Sequence, residues 1–157
     1  MCLTFVVLRP SVRLWPAEDF VFAGLSLRTT IEAAQKRYPN SSIVGRNVYV
    51  SDVDSHDHIR GIELPQLDEP APRIRVFFEQ RGAKRNQYPR CEQITAIIKR
   101  AYGEPTAVQE FSEGRSRNRR LIWKRGDESL SLLCFQIGRQ SRLAAEVAIT
   151  SSPSHLP

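Results

Sequence analysis

At two places in this chain, a segment with helical periodicity is followed by a helix breaker and then by strand-like segments. The first helical stretch ends at Tyr38-Pro39 and the second at Tyr102-Gly103-Glu104-Pro105, which puts the two tyrosines 64 residues apart. Helices with one apolar stripe and strands with alternating apolar residues are stable only when these surfaces cover each other. The order therefore predicts an α+β fold in which helices pack on one face of an antiparallel sheet, as two α-β-β-β repeats.

Both helices are predicted from apolar residues that recur every three or four positions. The first helix has Thr29 or Thr30 as its N-cap and ends before Pro39. The second helix begins near Pro89 and is closed at Gly103. The two apolar stripes consist of Leu27, Ile31, Ala34 and Tyr38, and of Ile94, Ile97, Ile98 and Ala101.

Alternation of apolar and polar residues predicts three strands after the first helix and four after the second. The first strand of the second set is expected to be a short edge strand. Gly126-Asp127 has the composition of a two-residue hairpin turn. The predicted strands are residues 47–51, 58–64, 73–80, 106–111, 119–124, 129–135 and 143–149.

With 157 residues, the chain has the length of one ordinary domain. An apolar run from Leu3 to Leu8 resembles the middle of a signal peptide, although no basic residue precedes it. We therefore interpret the lead segment, residues 1–18, as a signal remnant or a disordered segment. The run is far shorter than the about 20 residues that a membrane-spanning helix needs. The expected divisions are a lead at 1–18, a single domain at 19–150 with repeats 20–82 and 88–150, and a tail at 151–157.

Positive charge is concentrated in the second half of the chain, which has a net charge of +6 overall. Residues 1–78 have nine basic and nine acidic side chains, whereas residues 79–157 have 14 and 8. Such a field attracts an acidic protein or envelope surface, or nucleic acid, and a solvated surface is the plainest alternative. Arg115 and Arg117 are expected in a mobile loop that leads to a strand. The basic patch proposed for a partner consists of Arg115, Arg117, Arg119, Arg120, Lys124 and Arg125.

Two of the three cysteines are candidates for a disulfide bond. Cys134 shares a strand face with Leu130 and Leu132, so it points toward the helical layer, and Cys91 lies at the start of the second helix. A Cys91–Cys134 bond is therefore geometrically reasonable. Two alternatives stay open, namely two buried free thiols in a cytosolic core and a reactive thiolate at Cys91.

A polar segment from Asp52 to Glu63 partly resembles a calcium-binding loop, but Asp57 stands where the turn glycine is required. We interpret the segment as a solvated hairpin tip, and we expect neither a metal nor a cofactor. Phosphate-binding glycine loops, nucleophile elbows and His-Glu-x-x-His motifs do not occur in the sequence, and no catalytic residue is assigned. The weak metal candidates are Asp52, Asp54, His56 and His58.

Two short phrases resemble small exported bacterial domains of the beta-lactamase-inhibitor-like type, a group that includes the outer-membrane assembly lipoprotein related to SmpA and OmlA. The phrases are Gly24-Leu25-Ser26-Leu27-Arg28-Thr29-Thr30-Ile31-Glu32 and Tyr102-Gly103-Glu104-Pro105, with Trp123 in a later strand. The resemblance implies helices on an antiparallel sheet, export from the cytoplasm and a binding role. The chain has Tyr38-Pro39 where the group has Gly-x-Pro, and Tyr88-Pro89-Arg90-Cys91 where it has Gly-x-Thr, so no functional residue is transferred.

These observations lead us to expect an exported, periplasmic, non-enzymatic binding or accessory domain whose ligand the sequence does not identify. The alternative is a cytosolic basic module that binds nucleic acid through residues 81–125. A third hypothesis is a thiol-dependent enzyme that uses Cys91. The sequence leaves the oligomeric state open.

Overall fold

Eight antiparallel strands form one open sheet, and two helices pack against it. The computed structural model describes residues 19–51, 53, 59–65, 73–78 and 88–151. The helices are α1 (Ile31–Arg37) and α2 (Cys91–Tyr102), and the strands are β1 (Ser42–Val44), β2 (Asn47–Ser51), β3 (Ile59–Pro65), β4 (Arg73–Phe78), β5 (Ala107–Glu113), β6 (Ser116–Arg125), β7 (Glu128–Ile137) and β8 (Leu143–Ser151).

Each helix is followed by four strands, and the strand order is β1-β2-β3-β4-β8-β7-β6-β5. The last strand of each set therefore lies at the centre of the sheet, and the first strand of each set lies at an edge. The expected α+β class is confirmed. The expected three strands after α1 were one too few, because β1 has only three residues, all exposed, and so shows no alternation in the sequence.

Local sequence signals fix the helix ends. The Thr30 side chain accepts a hydrogen bond from the N–H of Ala33 (3.2 Å), which makes Thr30 the N-cap of α1 and leaves Leu27 outside the helix. Helix α2 ends at Gly103, whose φ of 81° lies in the left-handed region that a glycine adopts without strain. The indole Nε1 of Trp123 donates to the carbonyl of Gly103 (2.9 Å) and ties this helix end to β6.

One face of the sheet, called the inner face here, forms the hydrophobic core with both helices. The register aligns its side chains in rows, with Ile74 opposite Ile149 and Leu130 opposite both Ile149 and Trp123. Helix residues that complete the core are Ala34 from α1 and Ile94 and Ile98 from α2. The opposite side of the sheet is called the outer face.

Several sequence predictions are corrected at the level of single elements. Strand β6 begins at Ser116, so Arg117 lies within it, and Arg115 lies in the turn after Gly114 rather than in an approach loop. The β5–β6 pairing runs without interruption to Glu113 opposite Ser116, which is why the hairpin is longer than expected. Ser151, expected in the tail, is the last residue of β8. The lead at 1–18 and the tail beyond β8 lie outside the described residues.

The stretch before α1 is held to the second half of the domain by a buried carboxylate. Glu128, at the start of β7, is only 4% exposed, and its Oε2 accepts a hydrogen bond from the N–H of Phe20 (3.1 Å). The guanidinium of Arg125 lies over the rings of Phe20 (5.6 Å) and Tyr102 (4.9 Å). These contacts place Phe20 in the core with no exposed surface.

Ionisation of Glu128 is expected to make the stability of the fold depend on pH. Burial raises the pKa of Glu128, and the negative charges of Asp19 and Asp127 raise this pKa further. The hydrogen bond from Phe20 and the positive charge of Arg28 lower the pKa and so offset part of the shift. Because the folded pKa exceeds the unfolded value of about 4.3, the folded state binds more protons above that pH. The carboxylate's contribution to the free energy of unfolding therefore falls as pH rises through this window.

Urea unfolding of the wild type and of Glu128→Gln between pH 4 and 8 tests this expectation. The amide keeps an oxygen that can accept from Phe20 but does not titrate. The difference in unfolding free energy, wild type minus variant, should decrease from about pH 4.3 upward and become constant above the folded pKa. A difference that stays flat, or that increases with pH, would contradict the assignment.

Candidate functional site

The six basic residues of the predicted patch do not share one surface. Alternation along β6 places Arg120 and Lys124 on the outer face, whereas Arg117, Arg119 and Arg125 lie on the side of the inner face. Arg115, the sixth residue, occupies the β5–β6 turn. The patch is thus distributed over the two faces of the sheet and a turn. Its role in partner binding stays a prediction.

Three of these six residues have contacts within the domain. The Nε of Arg119 lies 3.8 Å from Oε1 of Glu110, and Arg125 stacks on the aromatic rings described above. Arg120 instead lies over the ring of Phe111 on the outer face, with its guanidinium carbon 5.7 Å from the ring centroid. Arg120 is therefore the member of the predicted patch that has both exposure and an aromatic neighbour.

Arginines from β4 join Arg120 on the outer face, although β8 and β7 separate the two strands. Burial lowers the pKa of Arg73, the like charges of Arg75 and Arg120 lower it further, and the charge of Glu63 opposes this shift. Arg73 forms an ion pair with Glu146, and Nη1 of Arg75 lies 3.7 Å from Oε2 of Glu63. We call Arg73, Arg75 and Arg120 the arginine cluster.

Aromatic side chains lie on both sides of the arginine cluster. Tyr49 and Phe77 pack with their ring centroids 5.9 Å apart, and Tyr49 covers Gly61 so closely that a β-carbon there would clash with the phenol. On the far side lies Phe111, which, like Phe77, keeps 38% of its surface exposed. Between these flanks the register places the small residue Ala148 beside Arg75.

A cleft opens next to Phe77, at the centre of the sheet. Strands β4 and β8 pair only as far as Val76 opposite Val147, and beyond this point they diverge. The space between them has a volume of about 350 Å³. Its lining is mostly apolar, and the residues that line it include Phe77, Phe78, Tyr88, Pro89, Ala144 and Glu146.

Cys91 and Cys134 form a disulfide bond, with their Cα atoms 5.7 Å apart. The bond joins the first residue of α2 to β7, beneath the helix, as alternation along the strand predicted. The N–H of Cys91 also donates to the carbonyl of Arg142 (3.0 Å), which holds the helix start against β8. In this bonded form, Cys91 presents no thiolate for catalysis.

The other predicted sites lie elsewhere. The metal candidates Asp52, Asp54, His56 and His58 fall outside the described residues. Within the described ranges, no group of three or more His, Cys, Asp or Glu side chains is arranged to hold a metal ion. In the described part of the chain, neither α1 nor α2 has the length and hydropathy of a membrane-spanning helix.

Comparison with protein families, with curated proteins and with solved structures finds no match to this chain. The outer face itself is therefore the main indication of what the protein does. The outer face combines an arginine cluster with exposed aromatic rings on both sides. Among these residues, only Arg120 was predicted from the sequence as a binding residue. Alternation along β4 places Arg73, Arg75 and Phe77 on one strand face, but alternation does not indicate which strands lie beside them.

Proposed function

We propose that this chain is an exported, non-enzymatic binding domain that captures an acidic protein partner on the outer face of its sheet. The observation that carries the proposal is the arginine cluster between exposed aromatic rings. Aromatic residues and arginine are the residue types enriched in protein interfaces, and they supply most hot spots. The cleft beside Phe77 offers a place for an apolar side chain of the partner next to its acidic contacts.

Location outside the cytoplasm is supported by the disulfide bond, since such bonds persist mainly in oxidising compartments. An acidic partner is supported by the charge of the outer face. Glu63 and Glu146 each neutralise one arginine of the cluster, which leaves the charge of Arg120 and of nearby Lys124 to attract carboxylates. Steering by these charges would raise the association rate most strongly at low ionic strength.

Nucleic acid is the second candidate ligand, because Arg120 stacked on Phe111 also suits a single strand, whose bases stack on aromatic rings. The two candidates differ in their salt dependence. Binding of a single-stranded DNA oligonucleotide would weaken steeply and linearly with the logarithm of salt concentration. We expect no retention of such an oligonucleotide at physiological salt.

Charge reversal on the outer face tests the proposal. The double variant Arg75→Glu/Arg120→Glu should lose partner capture by at least about tenfold, since removing contacts at interface hot spots costs about 2 kcal/mol or more. The matched control is Lys36→Glu/Arg100→Glu, which changes the net charge equally at exposed positions of the two helices. Both variants should unfold within about 1 kcal/mol of the wild type, because exposed substitutions are usually mild.

The partner is captured with a photo-reactive amino acid at Phe77, activated in the cells that produce the protein and identified by mass spectrometry. The same amino acid placed at Arg100 is the control for non-specific cross-linking. A partner cross-linked at Phe77, and lost only on reversal of Arg75 and Arg120, supports the proposal. Equal loss in the two charge-reversed variants would show that the total charge matters and that the outer face does not.

A further inference from the structure

The sheet ends on one side in a long strand whose outer edge has no neighbour in the described chain. All seven residues of β5 are exposed, and every one of them pairs with β6 without a break in register. The other edge strand, β1, has only three residues. Alternate residues of β5 therefore direct their N–H and C=O groups away from the sheet, as a template for another strand.

Several features that normally protect such an edge are missing from β5, although the strand carries the charged residues Glu110 and Glu113. Proline, lysine and β-bulges are the usual devices, and none of them interrupts Ala107–Glu113. The carboxylate of Glu110 would repel an approaching strand, but Arg142 (3.3 Å) and Arg119 (3.8 Å) of the same chain lie against it. Exposed Val108 and Phe111 add apolar surface on the two faces of the strand.

We propose that β5 pairs antiparallel with β5 of a second copy of this chain, across a two-fold axis, and joins two sheets into one of sixteen strands. Pairing between copies would satisfy the free main-chain groups where the two edges overlap, which is residues 109–113 when the axis passes through Phe111, and each contact would occur twice by symmetry. The helices of both copies lie on the same side of the joined sheet, so the two outer faces form one continuous surface.

Side-chain chemistry selects the register of this pairing. Residues opposite each other in a sheet share a face, so an axis through Glu110 would bring two carboxylates together. An axis through Phe111 instead pairs the two Phe111 rings and places Gln109 opposite Glu113. An axis through Gln109 pairs Val108 with the carboxylate of Glu110. The register centred on Phe111 avoids both unfavourable pairs and is the one we assign.

Self-association is measured on the purified protein alone, by sedimentation equilibrium over concentrations up to about 1 mM, so that even a weak dimer is populated. The wild type should show a monomer–dimer equilibrium. Phe111→Lys, which places two ammonium groups at the axis, should weaken it at least tenfold. Val44→Lys, the same kind of change at an exposed position of the opposite edge strand, should leave it unchanged.

Cysteine cross-linking tests the register in a Cys2→Ser background. In the assigned register, Phe111→Cys brings two sulfurs to directly opposite positions, with Cα atoms about 4.5–5.5 Å apart, which a disulfide bond can span. Gln109→Cys is the matched control, because four residues of offset separate its two copies by about 13 Å. Mild oxidation with diamide should yield a covalent dimer of the first variant and monomers of the second.

A protein that stays monomeric at every concentration would overturn the proposal. A covalent dimer of Gln109→Cys, without one of Phe111→Cys, would overturn the assigned register. Equal loss of self-association in Val44→Lys and Phe111→Lys would also contradict pairing through β5. None of these measurements involves the acidic partner, so the dimer and the proposed binding function are tested separately.

Discussion

Replacement of both Cys91 and Cys134 by alanine is expected to lower the free energy of unfolding by about 3–4 kcal/mol. The bond closes a loop across a sequence separation of 43, and the chain-entropy estimate for a loop of this length lies in that range. The loss should lower the melting temperature by about 10 °C. Urea unfolding under non-reducing conditions measures it, and Cys2→Ala, the third cysteine of the chain, is the control.

The same bond tests the compartment in which the protein works. Protein isolated from its own cells, with thiols blocked at lysis, should contain one Cys91–Cys134 bond by mass analysis without reduction. Free thiols at both positions would argue for a reducing compartment and against export. A double alanine variant within 1 kcal/mol of the wild type would show that the loop closure contributes little.

Trp123→Ala is expected to cost about 3–5 kcal/mol of stability, the range for removal of a large aromatic side chain from a core. Trp123 is 2% exposed on the inner face and also donates to the carbonyl of Gly103 at the end of α2. Trp123→Phe keeps an aromatic ring but removes the donor. It should lose about 1–3 kcal/mol, the cost of an unsatisfied buried polar group together with some lost packing.

Far-UV circular dichroism follows unfolding of these variants, because the substitution itself removes a fluorophore. A matched substitution is Trp123→Leu, which retains apolar volume and lacks both the ring and the N–H. If Trp123→Phe is as stable as the wild type, the hydrogen bond to Gly103 makes no net contribution. A loss of unfolding free energy below 1 kcal/mol in Trp123→Ala would show that neighbouring side chains of the inner face rearrange to fill the cavity.

Short-range signals predicted most of the elements correctly. The Thr30 cap, the end of α2 at Gly103 and the Gly126-Asp127 turn each depend on residues a few positions apart, and local backbone preference decides them. Strand alternation also gave the direction of Cys134, and thereby the disulfide bond. The short strand β1 could not be predicted, because three exposed residues show no period.

The outer face could not be predicted in full, because its composition depends on which strands are neighbours. Arg75 and Arg120 are 45 residues apart in the sequence, and only the insertion of β8 and β7 between their strands sets the distance between them. Alternation assigns a side chain to one face or the other, but the order of strands is a long-range property. The division of the basic patch is a local property instead, because alternation along β6 places Arg120 and Lys124 on one face and Arg119 and Arg125 on the other.

The junction between β4 and β8 has a consequence for the order in which the protein folds. Hairpins such as β6–β7 join neighbouring segments and form quickly, whereas 75 residues separate Ile74 from its partner Ile149. Because β8 is made after the seven other strands, β4 has an unpaired apolar edge throughout synthesis. Until β8 is available, that edge could pair with another chain, so slow emergence of the last strand favours aggregation.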